Sequence, residues 1–324
     1  MRAVICKELG PPESLVVEEL PDPTPGKGEV VIDVRASGVN FPDTLLIQGK
    51  YQFKPSGAFS PGGEVAGVIE AVGEGVEGLK VGDHVIAAFP FGGWRDKVVV
   101  SPAQVIPIPA SVPFDVAASF YQAYGTSHYA LKDRADLKPG ETLCVLGAAG
   151  GVGLAAVEIG KVMGARVIAC ASSDEKLALC KEHGADEVIN YATEDLKSRL
   201  KALTGGNGAD VVYDPVGGDY SEQALRATAW YGRFLVVGFA AGPIPSIPLN
   251  LVLLKSCQIC GVFWGSFAMR DRERNLAHVA ELMEWLEAGK LKPHVWKRYR
   301  YEEAAEALRA MMERRIQGKV VLVP

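Results

Sequence analysis

The chain has 324 residues, 48% apolar and 23% charged, with 34 basic against 39 acidic side chains for a net charge of −5. This balance excludes a non-specific binder of nucleic acid or anionic membrane, and the length suffices to bury a core without a disulfide or structural metal. Six cysteines, at positions 6, 144, 170, 180, 257 and 260, are too sparse for the framework of a small secreted protein.

The start is charged again by Lys7 and Glu8, so it lacks the apolar core of a signal peptide and a cytoplasmic protein is expected. Residues 29–35 (EVVIDVR), 64–72 (EVAGVIEAV), 83–88 (DHVIAA) and 96–100 (DKVVV) are short β-branched runs separated by turn residues such as Gly73-Glu74-Gly75 and Lys80-Val81-Gly82-Asp83. They predict a compact barrel-like or sandwich domain. His84, at the start of one run, reads as a packed structural histidine.

After residue 123 the pattern changes to alternation. Strands are expected at 142–146, 166–170, 187–191, 210–214, 233–238 and 258–263, with helices near 152–163, 174–183, 194–203 and 220–228. Strands joined by single helices require a mostly parallel, doubly wound α/β sheet. The uncharged stretch 234–254 contains Gly238, Gly242, Pro243, Pro245, Pro248 and Asn250, so it reads as a strand and loop and not as a membrane span. Amphipathic helices follow at 270–288 and 301–312, and residues 318–323 (GKVVLV) form a closing strand that is expected to pair back with the N-terminal domain. The α/β unit is then an insertion, giving domains 1–123 with 265–324, and 124–264.

Ala148-x-Gly150-x-x-Gly153 lies between the first strand and first helix of this series and departs from G-x-G-x-x-G only at its first position. Gly150 leaves room for a pyrophosphate against the backbone, Gly153 allows close helix packing, and the helix N-terminus offers N–H groups to phosphate. No Gly-Lys-Ser/Thr follows, which excludes a P-loop. An NAD site places an acid at the end of the second strand. Here that strand ends in Ala171-Ser172-Ser173, and Ser172, Ser173 and Lys176 make a neutral-to-positive site suited to a 2′-phosphate, hence NADP(H). Cys257 and Cys260 form a C-x-x-C without a second pair nearby and read as buried thiols; no G-x-S-x-G or H-E-x-x-H is present, and His128 is not read as an active-site group.

Seven segments carry a resemblance over nearly the whole chain: Gly38-Val39-Asn40-Phe41-Pro42-Asp43, Pro61 to Val68 (PGGEVAGV), Val81-Gly82-Asp83-His84-Val85, the 148–153 loop, Val188-Ile189-Asn190-Tyr191, Asp214-Pro215-Val216-Gly217-Gly218 and Gln317 to Leu322 (QGKVVL). The sequence resembles the medium-chain dehydrogenase/reductase superfamily, and within it the zinc-free, zeta-crystallin-like quinone oxidoreductases. That resemblance implies a Rossmann sheet inserted into a GroES-like barrel domain. Zinc-dependent members carry Cys where this chain has Asn40 and His where it has Gly63, so no metal is expected and Glu64 reads as a structural carboxylate.

The resemblance further implies that Asn40 and Tyr51 lie near the nicotinamide and acceptor and act in catalysis. Asp43 matches a position there too, without an acid role. Cofactor contacts are implied for Thr126, for Ala149, Gly150, Gly151 and Val152, and for Ser172, Lys176 and Tyr191 at the 2′-phosphate. Gly238, Phe239 and Ala240, Phe263 and Trp264, and Gly318 and Lys319 complete the set. The expected activity is transfer of hydride from NADPH to a quinone or to the β-carbon of an enone or enoyl thioester. The aromatic segment 49–60 (GKYQFKPSGAFS) fits either acceptor. A crystallin-like structural or RNA-associated protein is the alternative of another class; the basic runs at 270–274 and 297–300 are read as solvated surface, so no nucleic-acid partner is expected. A homodimer joined through the sixth strands is expected, with a tetramer left open.

Overall fold

Six β-branched runs separated by single helices form one parallel sheet in the computed structural model, which describes all of Met1–Pro324. Across the sheet the strands run Glu187–Asn190, Arg166–Ala171, Thr142–Val145, Ala209–Asp214, Thr228–Val236 and Gln258–Gly261. Every neighbouring pair is parallel. The third, second and first strands therefore lie to one side, and the fourth, fifth and sixth to the other. This is the doubly wound order, in which the direction of strand addition across the sheet reverses between Thr142–Val145 and Ala209–Asp214. Ligands of such sheets bind beyond the strand carboxyl ends at that reversal. The second strand is buried along Val167, Ile168, Ala169 and Cys170, as a strand covered on both faces must be.

The first part of the chain forms the other sheet, whose spine is Val30–Val39. It pairs antiparallel with Glu64–Val72 and Lys97–Val100. Through Ser37 to Val39 it also pairs with the last strand, Lys319–Val323, as the distance of that segment from the α/β repeat predicted. Two further pieces escaped the sequence reading. Arg2–Cys6 pairs with Leu15–Glu19 as a small separate sheet, and Val295–Arg300 runs parallel to Lys319–Val323. The latter (VWKRYR) buries only Tyr299 fully, so its charged side chains mask the period-2 pattern.

The chain divides into two compact units, Met1–Gln122 with Pro293–Pro324, and Ala123–Lys292. Residues 265–292 thus fall in the second unit, whereas the sequence pattern places 265–324 with the first. The reason is side-chain packing. Helix Arg272–Glu287 buries His278, Val279 and Leu282, and its Glu281 Oε2 lies 2.8 Å from His128 Nε2 within the same unit. The expected single helix at 270–288 is two, Trp264–Arg270 and Arg272–Glu287, because Asp271 leaves helical backbone (φ −127°) and accepts from the Arg274 N–H at 3.3 Å. Arg274 and Arg298 are each ion-paired, with Asp133 and Asp115 respectively. No helix is long and apolar enough to cross a membrane.

His128 is fully enclosed, with the rings of His278 at 4.6 Å and Trp285 at 5.4 Å. Lys132 shares Glu281 with it, and Asp133 faces His278 at 3.4 Å. Burial, then the adjacent His278, push the His128 imidazole down to about 4, while Glu281 opposes the shift. The unfolded chain takes up this proton near pH 6.5 and the folded protein near pH 4, so the stability contributed here falls as pH drops through that window. Comparing wild type with His128→Gln isolates the effect, because the buried Asp43 carboxyl, pushed up to about 7, titrates in the opposite sense. In urea unfolding, wild type is expected to lose on the order of 3 kcal/mol relative to the variant across the window. A pH-independent difference contradicts a neutral buried ring.

Candidate active site

In the second unit, Thr142–Val145 runs through Gly147 into helix Gly151–Val162, with Gly150 as the residue before its first turn. The Ala148 N–H donates to Cys170 O at 3.0 Å, fastening the loop to the second strand. The N–H groups of the first helical turn have no intrahelical acceptors. A Cβ on Gly150 would meet only Gly147 O, at 3.3 Å, and otherwise stand in the open mouth of the loop. A Cβ on Gly153 would lie 2.3 Å from Gly147 O and 2.9 Å from Ala148 Cα. One glycine therefore keeps space free and the other lets helix and loop touch. Ala149 is buried beneath the loop, while Gly150, Gly151 and Val152 are partly exposed.

At the end of the second strand, Ser172 is exposed and no carboxylate stands beside it in the chain. Ser173, expected to help hold a phosphate, caps helix Asp174–Glu182 by accepting from the Lys176 N–H at 3.4 Å, which leaves its O–H free to donate. Lys176 lies in the first turn of that helix. Tyr191 follows the third strand and is tied to the second by its N–H to Ala171 O at 3.1 Å; its ring packs on Tyr220 at 4.3 Å. Ser172, Lys176 and Tyr191 thus share one corner of the sheet. The nearest acid in sequence, Asp174, accepts from Asn190 Nδ2 at 2.8 Å.

Beyond the fourth and fifth strands two loops are bound together. Ala240 N–H donates to Pro215 O at 3.1 Å and Ala241 N–H to Val216 O at 2.7 Å. Buried Asp214 accepts from the N–H groups of Val216 and Gly217 (2.8 and 2.9 Å) and from Ser221 Oγ (2.6 Å), while burial raises its pKa. This Asp, part of the 214–218 motif, shapes the support on which Gly238, Phe239 and Ala240 rest. Gly125, which precedes Thr126, lies against the Trp264 indole: a Cβ there would stand 2.8 Å from the ring. Phe263, just before helix Trp264–Arg270, is 53% exposed.

In the first unit, Asn40 precedes helix Phe41–Leu46, and its N–H donates to Asp43 Oδ2 at 2.8 Å. Asp43 Oδ1 accepts from the Gly62 N–H at 3.1 Å. Burial nevertheless pushes the Asp43 carboxyl up to about 7, so a residue given no acid role titrates near neutrality. Half-buried Tyr51 has its phenol pushed above the ordinary value by burial, with Asp43 adding to the shift, so it keeps its proton as a hydrogen-bond donor. Glu64 is fully buried: Oε2 accepts from the Gln122 N–H at 2.9 Å, and Oε1 from Asn40 Nδ2 at 3.1 Å and Lys319 Nζ at 3.2 Å. Lys319, expected on the cofactor side, has its ammonium committed to Glu64, to Val39 O at 3.2 Å and to Asn40 Oδ1. The preceding Gly318 adopts φ 71° against His294 O, which brings Lys319 to this position.

Residues 26–110 match the family described as "Alcohol dehydrogenase GroES-like domain", and residues 151–284 the family described as "Zinc-binding dehydrogenase". The chain is 40% identical over 325 residues to "Quinone oxidoreductase-like protein 2 homolog" of Nematostella vectensis, covering 99% of this chain and 88% of that one. It is 36% identical to "Quinone oxidoreductase" of Pseudomonas aeruginosa across 97% of both. The crystal structure of Escherichia coli quinone oxidoreductase complexed with NADPH superposes with a TM-score of 0.93 at 30% identity, covering 100% of both chains. The chain belongs to the medium-chain dehydrogenase/reductase superfamily, in its quinone oxidoreductase branch.

A zinc ion, which the second family description implies, does not suit this donor set. No group of at least 3 His, Cys, Asp or Glu side chains is arranged to hold one. The buried Glu64 carboxylate is already neutralised by an ammonium, and Asn40 is a poor zinc donor beside it. A dinucleotide suits the glycine loop, whose open mouth at Gly150 a side chain would fill.

The loop contacts separate the two glycines experimentally. Gly153→Ala is expected to cost about 1–3 kcal/mol in denaturant unfolding, because its clash is with backbone. Gly150→Ala is expected to fold with nearly wild-type stability. Equal midpoints for Gly153→Ala and wild type would contradict the close approach.

Proposed function

We propose that this protein is an NADPH-dependent quinone oxidoreductase whose own residues, without a metal, orient the acceptor. The observation that carries the cofactor choice is the second strand, Arg166–Ala171, which is followed by Ser172, with Lys176 and Tyr191 close in the backbone and no carboxylate at its end to accept from a ribose 2′-OH. A phosphate in that corner gains charge-assisted bonds that a bare hydroxyl does not. The relatives named quinone oxidoreductase, matched along nearly the full chain, support the acceptor class.

The dinucleotide supplies a hydride when bound; the chain supplies distance, orientation and charge stabilisation. N–H groups at Gly150, Gly151 and Val152 hold the diphosphate, while Ser172, Lys176 and Tyr191 hold the 2′-phosphate. Thr126, Trp264 and the Gly238-Phe239-Ala240 turn bound the nicotinamide. Asn40 donates from Nδ2 to the acceptor oxygen, where negative charge develops. Tyr51, or water that it positions, brings the proton.

An NADPH-oxidation screen tests the reaction class. The fastest turnover is expected with 1,4-benzoquinone; faster turnover of crotonyl-CoA or a 2-alkenal would make the protein a double-bond reductase. Lys176→Ala is expected to weaken NADPH binding about tenfold while leaving NADH binding within about twofold. Equal losses for both would remove Lys176 from the 2′-phosphate.

We also propose a cytoplasmic homodimer. Gln258–Gly261 ends its sheet with one unpaired edge, and Ile259 and Phe263 stand exposed there. Pairing of two such edges about a two-fold axis would cover them. Mass measurement at micromolar concentration is expected to give a dimer, and a monomer would refute it.

A further inference from the structure

We propose that Lys319 is a positioning residue that fixes the side-chain amide of Asn40 in one orientation, so that a single N–H is presented to the acceptor's carbonyl oxygen. This rests on the reading of the protein as an NADPH-dependent quinone reductase and adds a specificity-determining part to it.

The chemistry of three side chains dictates the orientation. An ammonium has donors only, an ionised carboxylate has acceptors only, and a primary amide has one end of each kind. Asn40 lies between the other two, with Oδ1 on Lys319 Nζ and Nδ2 3.1 Å from Glu64 Oε1. A flipped amide would set NH₂ against the ammonium and C=O against the carboxylate, two repulsive contacts beside buried charges.

The flanking groups are themselves held. Glu64 Oε2 is occupied by the Gln122 N–H at 2.9 Å, and Lys319 also donates to Val39 O at 3.2 Å. The Asn40 backbone is anchored independently by its N–H to Asp43 Oδ2 at 2.8 Å. What is left over is the second N–H of Nδ2, with Asn40 itself only partly buried. The ammonium on Oδ1 polarises the amide and strengthens that remaining donor. When hydride adds to a quinone, the two electrons place negative charge on the ring oxygen, which a fixed donor stabilises without reorganising. The same device disfavours acceptors that carry no oxygen at that point. Lys319 does this without touching the acceptor.

The test compares wild type, Asn40→Ala, the charge-neutral pair Glu64→Gln/Lys319→Met, and the triple variant. Quinone kcat is read at saturating NADPH, together with the NADPH Kd and the thermal midpoint. Asn40→Ala is expected to lower kcat about 10- to 100-fold. The charge-neutral pair is expected to lower it by a similar factor with the NADPH Kd within about twofold. Adding Asn40→Ala to that pair is expected to cost less than about twofold more. Wild-type kcat in the charge-neutral pair overturns the proposal. So does an equal loss from Asn40→Ala in both backgrounds. Should the pair fail to fold, the orientation is read in the wild type by neutron diffraction instead, and an Asn40 amide with its NH₂ towards Lys319 overturns the proposal. Wild-type protein that oxidises NADPH with no quinone refutes the functional reading and this one with it. Wild-type turnover with an unaffected charge-neutral pair refutes only the role of Lys319.

Discussion

The buried pair of Lys319 and Glu64 is the contact on which the acceptor side of this protein depends. Neither charge can be enclosed alone: removing one partner of such a pair typically costs about 3–5 kcal/mol, because the other is left uncompensated. The two residues are 255 positions apart, one in the last strand and one in a strand near the beginning. The contact therefore exists only after the chain has completed its inserted unit and returned to Val30–Val39. Fold topology and side-chain chemistry are the same event here. The strand that closes the sheet also delivers the cation that orients Asn40.

The two units divide the labour by different physical means. In the second, the proposed cofactor site is built from backbone: a helix start, a loop kept open at Gly150, and paired turns braced by Asp214. Backbone N–H groups suit a phosphate-rich ligand whose shape is fixed. In the first, the proposed acceptor site is built from side chains whose charges are neutralised internally, so the surroundings of Asn40 carry a local field without a net charge. That arrangement suits an acceptor that is uncharged on entry and gains charge only during reduction.

Much of this was legible in the sequence because it is local. The strand-glycine-helix order around 148–153 and the missing acid after the second strand sit within a few residues of one another, and the closing strand was set apart by its distance from the repeat. What escaped was non-local or cooperative. Lys319 reads as the start of a closing strand and a cofactor contact until its ammonium is seen against Val39, Asn40 and Glu64. Ser173 also caps a helix, a role the sequence pattern does not single out because Ser at that position suits a phosphate equally well. The acidity of Asp43 depends on complete burial, which no spacing reveals. The continuation of helix Tyr121–His128 into the π-helical turn Tyr129–Arg134 likewise has no periodic signature, and it carries the side chains that draw 265–292 into the second unit.

Neutron diffraction from the deuterium-exchanged protein tests the central contact directly, since it reveals which end of the Asn40 amide carries hydrogen. The account requires a triply protonated Lys319 facing Oδ1, an ionised Glu64, and both amide deuterons on the atom nearest that carboxylate. A reversed amide, a protonated Glu64 or a neutral Lys319 would contradict it.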